Sequence, residues 1–113
     1  MMNLTNLAPT WGDLVDAFHD STLDRGHQYA LDQRVLKTHV DYNATKGAAS
    51  LEAKVDGTSS PSHEVHVELT HTDGAEISID ATCTCPVNYN CKHAAAALIA
   101  HYQLAPPGKQ APP

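Results

Sequence analysis

An α+β fold is what the sequence predicts: N-terminal helices, a four-stranded antiparallel β-meander, and a cysteine–histidine knuckle leading into a C-terminal helix. Three observations carry this. Apolar residues recur every three or four positions before Val35 and every second position after it. Turn-forming residues divide the alternating region into four segments. All three cysteines fall between Cys83 and Cys91, and an alanine run follows them.

The elements follow in order. Trp11 to Asp20 carries Trp11, Leu14, Val15 and Phe18 on one helical face. Thr10 is placed to cap its start, and Asp13 stands where the helix dipole favours an acid. A second, shorter helix is expected from Asp24 to about Asp32, weakened by Gly26. From Val35 the period becomes two. Leu36, Thr38, Val40 and Tyr42 share one face, and Lys37, His39 and Asp41 share the other. After a turn at Asn43 to Gly47, Ala49, Leu51, Ala53 and Val55 alternate with polar neighbours. Asp56 to Ser62 has loop chemistry. Val65, Val67 and Leu69 then form a third apolar row, and Ile77, Ile79 and Ala81 a fourth, with Asp73-Gly74 as the hairpin turn between them. One wet and one dry face result, and the helices must cover the dry one.

The chain of 113 residues and 12.1 kDa has the size of one small domain, expected to span 1–104. Residues 105–113 are proline-rich and read as a linker or disordered tail. This length excludes a two-lobed enzyme with an interdomain cleft. An odd count of three cysteines is no complete disulfide framework. No apolar run reaches the length of a membrane span, and Met1 to Thr10 lacks the pattern of a secretory signal. A cytoplasmic setting follows as the expectation, one in which clustered Cys and His bind metal more often than they form disulfides.

Cys83, Cys85, Cys91 and His93 have the spacing C-x-C-x5-C-x-H. Four soft or borderline donors at this density suit one tetrahedral Zn²⁺. Cys83 and Cys85 lie two apart at a strand end, so both thiols point the same way. Cys91 and His93 arrive at the start of the next helix, whose dipole favours thiolate. Four protein ligands close the coordination sphere, and no acid follows Asp80 to act as a base, so the zinc is expected to be structural and the chain not to be an enzyme. The C-x-x-C pair of zinc deaminases is missing. A Cys3His iron–sulfur cluster is the other metal reading; CDGSH-type proteins place three residues between the last Cys and the His, against one here.

These residues, Cys83-Thr-Cys85-Pro-Val-Asn-Tyr-Asn-Cys91-Lys-His93 with small residues following, resemble a SWIM zinc finger, with the finger proper at 83–102. The resemblance implies zinc ligation by Cys83, Cys85, Cys91 and His93. Upstream, Arg25-Gly26-x-x-Tyr29, Arg34-Val35 and Ala53-x-Val55-x-Gly57 look like the segment preceding the finger in bacterial SNF2-type helicases. The chain carries no G-x-x-x-x-G-K-[ST] phosphate loop, so the resemblance implies an accessory module of such an ATPase and not a motor. SWIM fingers are thought to contact DNA or proteins.

Charge placement bears on the choice. Residues 1–82 hold all thirteen acids against five bases, a formal −8, whereas 83–113 hold Lys92 and Lys109 and no acid. The finger is the only non-acidic surface, and Lys92, between two ligands, is the candidate partner contact. There is no basic stripe or aromatic stacking set, so tight autonomous binding to nucleic acid is not expected. The expected partner is a protein or a tethered SNF2-type motor, with weak DNA contact through the finger as the alternative. No membrane or small-molecule substrate is expected. The other seven histidines read as solvated or ordinary packing residues.

Overall fold

The structure is a computed structural model that describes residues 9–43, 47–56, 62–71, 77–84 and 90–104. Helices α1 (Trp11–Ala17) and α2 (Asp20–Leu31) precede strands β1 (Val35–Asn43), β2 (Ala48–Val55), β3 (His63–His71) and β4 (Ile77–Cys83), and helix α3 (Lys92–Tyr102) closes the order. The strands form one antiparallel sheet in sequence order, β1-β2-β3-β4. The α+β meander expected from the alternation is therefore the fold. The Asp73-Gly74 turn and the tail from residue 105 lie outside the described residues.

The dry face is the one the pattern marks. Leu51, Val67 and Ala81 stand opposite one another across β2, β3 and β4, as do Ala53, Val65 and Cys83 across the first two and the third. Leu51, Val55, Val67, Leu69 and Ala81 are completely buried. Helix α3 covers this face and contacts all four strands. Ala94 through Ile99, six consecutive residues, are buried. A helix apolar on every side needs neighbours on every side. The sheet supplies one and α2 the other.

Gly26 sets the spacing of that second contact. A Cβ at Gly26 would lie 2.6 Å from the Ala95 Cβ, 2.9 Å from the Lys92 carbonyl oxygen and 3.0 Å from the Ala96 nitrogen. The residue that lowers helix propensity is thus the one that lets α2 approach the α3 backbone. Leu23, Gly26 and Tyr29, three residues apart, are the buried face of α2.

The helix boundaries differ from the sequence expectation. The predicted first helix ran to Asp20, but Phe18 is extended (φ −122, ψ 148) and ends α1. Helix α2 starts at Asp20, four residues before its predicted start. The reason is packing. Five residues beyond Phe18 on one continuous helix, Leu23 would point about 140° away from it. Breaking the chain at Phe18 buries both side chains. Thr10 does cap α1, within a full capping box: the Thr10 hydroxyl accepts from the Asp13 N–H (3.3 Å), and Asp13 Oδ2 accepts from the Thr10 N–H (2.9 Å). Asp13 Oδ1 also accepts from the Ile77 N–H on the β4 edge at 3.5 Å.

β1 carries a second departure. Its register against β2 shifts between Val35 and Lys37, a bulge that leaves Leu36 without an opposite residue. Leu36 is 56% exposed and does not join the apolar row. Farther along, Thr38 Oγ1 and His101 Nδ1 are 2.7 Å apart and tie β1 to the last turn of α3. Burial, and secondarily the charge of nearby His39, hold the His101 imidazole below the ordinary histidine range.

Two outcomes are expected. Gly26→Ala should lower the free energy of unfolding by about 1–3 kcal/mol through overpacking, read as a lower urea midpoint with unchanged slope. For His101, the unfolded chain takes up the proton more readily than the folded one. Its contribution is complete above about pH 6.5 and is lost as pH falls through the lowered folded value. The urea midpoint of His101→Gln should therefore drop less than that of the parent between about pH 7 and about pH 5.

Candidate metal centre

Two elements deliver the donors. Cys83 is the last residue of β4, two positions beyond Ala81 on the dry face, and so its thiol turns inward. Thr84 fixes this strand end against β3: its N–H donates to the Glu64 carbonyl at 3.2 Å, and its hydroxyl accepts from the Glu64 N–H at 3.1 Å. Cys91 is the N-cap of α3, and His93 is the second residue of the helix.

Asn90 brings the two ends together. Its backbone N–H donates to the Ala81 carbonyl at 3.0 Å, and its Oδ1 accepts from the Ala81 N–H at 2.9 Å. A single residue thus pairs with the β4 edge as a neighbouring strand would. Its Nδ2 donates to the Ala17 carbonyl at the end of α1 (3.1 Å). The backbone at Asn90 is left-handed (φ 42), a conformation that Asn tolerates better than most residues.

Cys83 Sγ lies 3.6 Å from His93 Nδ1, and Cys91 Sγ lies 3.7 Å from the same nitrogen. The three donor atoms all fall within 4.8 Å of one another. Zinc bonds of ~2.3 Å to sulfur and ~2.0–2.1 Å to nitrogen, at tetrahedral angles, give a sulfur–nitrogen edge of about 3.5 Å. The separations match that edge, and the donor chemistry is that of a zinc site. All three side chains are buried: Cys83 is 7% exposed, Cys91 1% and His93 4%. Cys85 lies outside the described residues.

Aromatic rings pack around the His93 imidazole. Tyr29 of α2 meets it edge-on with centroids 5.4 Å apart, and the His63 ring at the start of β3 lies 4.4 Å away, tilted by 37°. With Nδ1 facing the sulfurs, these contacts fix the ring plane, as the outer neighbours of a metal-binding histidine do. Tyr29 is in turn approached by two cations, Arg34 at 5.2 Å and Lys92 at 5.3 Å from its ring centre. Lys92, the candidate partner contact, is thus half-buried at the rim of the site and leans on Tyr29.

His63, Tyr29 and Asn90 are the site residues that spacing alone does not single out. His63 stands twenty residues before Cys83 in sequence, and only the β3–β4 register, in which Val65 faces Cys83, brings the start of β3 to the site. Gly26, Tyr29 and Arg34 were legible by another route: they belong to the upstream motif. Each lies against the finger or against Tyr29.

Comparison with curated proteins and with solved structures gave no match. A family model does match, over residues 63–102: the SWIM zinc finger. That span begins at His63 and ends at Tyr102, so it takes in β3, β4, the donor cluster and all of α3. The chain carries a SWIM zinc finger, with Cys83, Cys91 and His93 gathered as a metal-binding cluster at its centre.

Proposed function

We propose that the chain is a zinc-organised interaction module serving an SNF2-type helicase or ATPase, and that it engages a protein partner or the motor to which it is tethered. One structural Zn²⁺ is held by Cys83, Cys85, Cys91 and His93. The observation that carries the structural role is burial: three of the four donors lie inside the core between β4 and α3 and behind Tyr29 and His63. With Cys85 as the fourth ligand the coordination sphere is full, and a catalytic zinc keeps a position open. A non-enzymatic role follows. The link to SNF2-type proteins rests on the upstream motif, whose Gly26 and Tyr29 lie against α3 and His93 and whose Arg34 lies over Tyr29.

The alternative is a free-standing SWIM protein that itself binds DNA or a partner. Lys92, half-buried at the rim and 5.3 Å from the Tyr29 ring centre, favours an acidic ligand there. Against the acidic remainder of the chain, one such cation supports weak contact, useful mainly under tethering. Among the described residues no helix is long and apolar enough to cross a membrane. We place the module in the cytoplasm.

The metal and the partner are tested separately. Structural zinc in finger peptides contributes about 10–16 kcal/mol, against about 5–15 kcal/mol for the stability of a whole domain. A chelator, or Cys91→Ser, should therefore abolish the cooperative melt and the helical dichroism of α3, and the purified chain should carry one zinc. An unchanged melt in chelator overturns the structural role. For DNA, fluorescence anisotropy on a labelled duplex should show little or no binding even at low salt. Affinity that falls steeply with salt and disappears in Lys92→Glu would favour the DNA-binding alternative.

A further inference from the structure

The two edges of the sheet are treated differently. The β4 edge is occupied: Asn90 takes both hydrogen bonds of Ala81, and Asp13 takes the Ile77 N–H. On the outer side of β1, no described residue donates to or accepts from the backbone. β1 is nine residues long, and its bulge lies at one end, so that Lys37 to Asn43 is regular. Leu36, the most exposed large apolar residue of the strand, lies beside this open ladder.

An open edge is commonly blunted by a charge that repels or strands a second edge. Here the charges on β1 are self-complementary. Lys37, His39 and Asp41 alternate along the solvent face, all exposed. If two β1 strands pair antiparallel about a two-fold axis at His39, each Lys37 stands opposite the partner's Asp41 and each Asp41 opposite the partner's Lys37. In the same register Thr38 stands opposite the partner's Val40. Opposite charges in facing positions stabilise an antiparallel pair, and like charges oppose it. A two-fold interface requires this reciprocity, residue i against j and j against i.

We propose that β1 is a homodimerisation edge: two copies pair through Lys37 to Asp41, centred on His39, to form one continuous eight-stranded sheet with the zinc sites carried by the separate halves. The occupant is a second copy of this chain, since the Lys–His–Asp order is complementary to itself under a two-fold axis. Backbone bonds supply the attraction, while the two symmetry-related Lys37–Asp41 pairs select the register. Exposed ion pairs contribute little each, but two simultaneous like-charge contacts penalise the same register twice.

Sedimentation velocity and light scattering on the full zinc-loaded chain test this over a concentration series. The parent should show a reversible monomer–dimer equilibrium. Lys37→Asp and Asp41→Lys each place like charges opposite one another, and each should weaken the dimer tenfold or more. The double exchange Lys37→Asp with Asp41→Lys restores opposite charges in reversed order and should restore the dimer. Both side chains are exposed, so circular dichroism should report folded chains throughout. A parent that stays monomeric up to millimolar concentration overturns the proposal. So does a dimer indifferent to both single changes, or a double exchange that fails to recover it while remaining folded.

Discussion

The contact between α2 and α3 at Gly26 is the constraint on which the rest of this structure depends. With no side chain at that position, the two helix backbones approach until a single methyl group would collide with Ala95 and with the Lys92 carbonyl. Close approach puts the alanines of α3 fully out of water, and α3 becomes the central layer between α2 and the sheet. Small residues on both helices do here what large ones do in most small cores. The chain has only six aromatic residues and fills its interior by bringing backbones together. Such a core tolerates shrinkage poorly and growth hardly at all.

The metal centre is a product of the same layering. Helix α3 cannot slide along α2 without breaking the Gly26 contact, so its first turn is held at the end of β4. Cys91 and His93 then have one place to go, beside Cys83. Tyr29 ties these levels together, being at once part of the buried face of α2, the edge-on neighbour of His93 and the ring on which Lys92 and Arg34 rest. A cation at the finger rim is thereby coupled to the imidazole at the centre through one aromatic side chain.

Much of this was legible in the sequence, and the exceptions share a cause. Period-two alternation marked the sheet and its wet and dry faces, because burial of one face leaves a local record at every second residue. The Cys and His spacing marked Cys83, Cys91 and His93, which the fold gathers, because ligand geometry demands short separations. The break at Phe18 left no such record: whether a helix continues or bends depends on where Leu23 must go, which only the packed structure specifies. The bulge at Leu36 likewise belongs to a pairing, not to a strand. His63 reaches His93 through the β3–β4 register, and Asn90 serves as a strand partner through its side chain; both roles depend on elements distant in sequence. Asn is a residue type that favours turns, but that preference does not announce which backbone the Asn90 amide will hold.

The grip of Asn90 on Ala81 couples the metal to the fold. It closes the chain between these two residues into a loop by hydrogen bonds, and so carries part of the entropic cost of bringing the strand end to the helix start. An ion held by Cys83, Cys91 and His93 would tie the same segment a second time, at a lower entropic cost for being the second tie. Hydrogen bonds and metal would then support one another at this junction, and withdrawing the ion would leave the strand end and the helix start joined by Asn90 alone, too little to keep α3 in place.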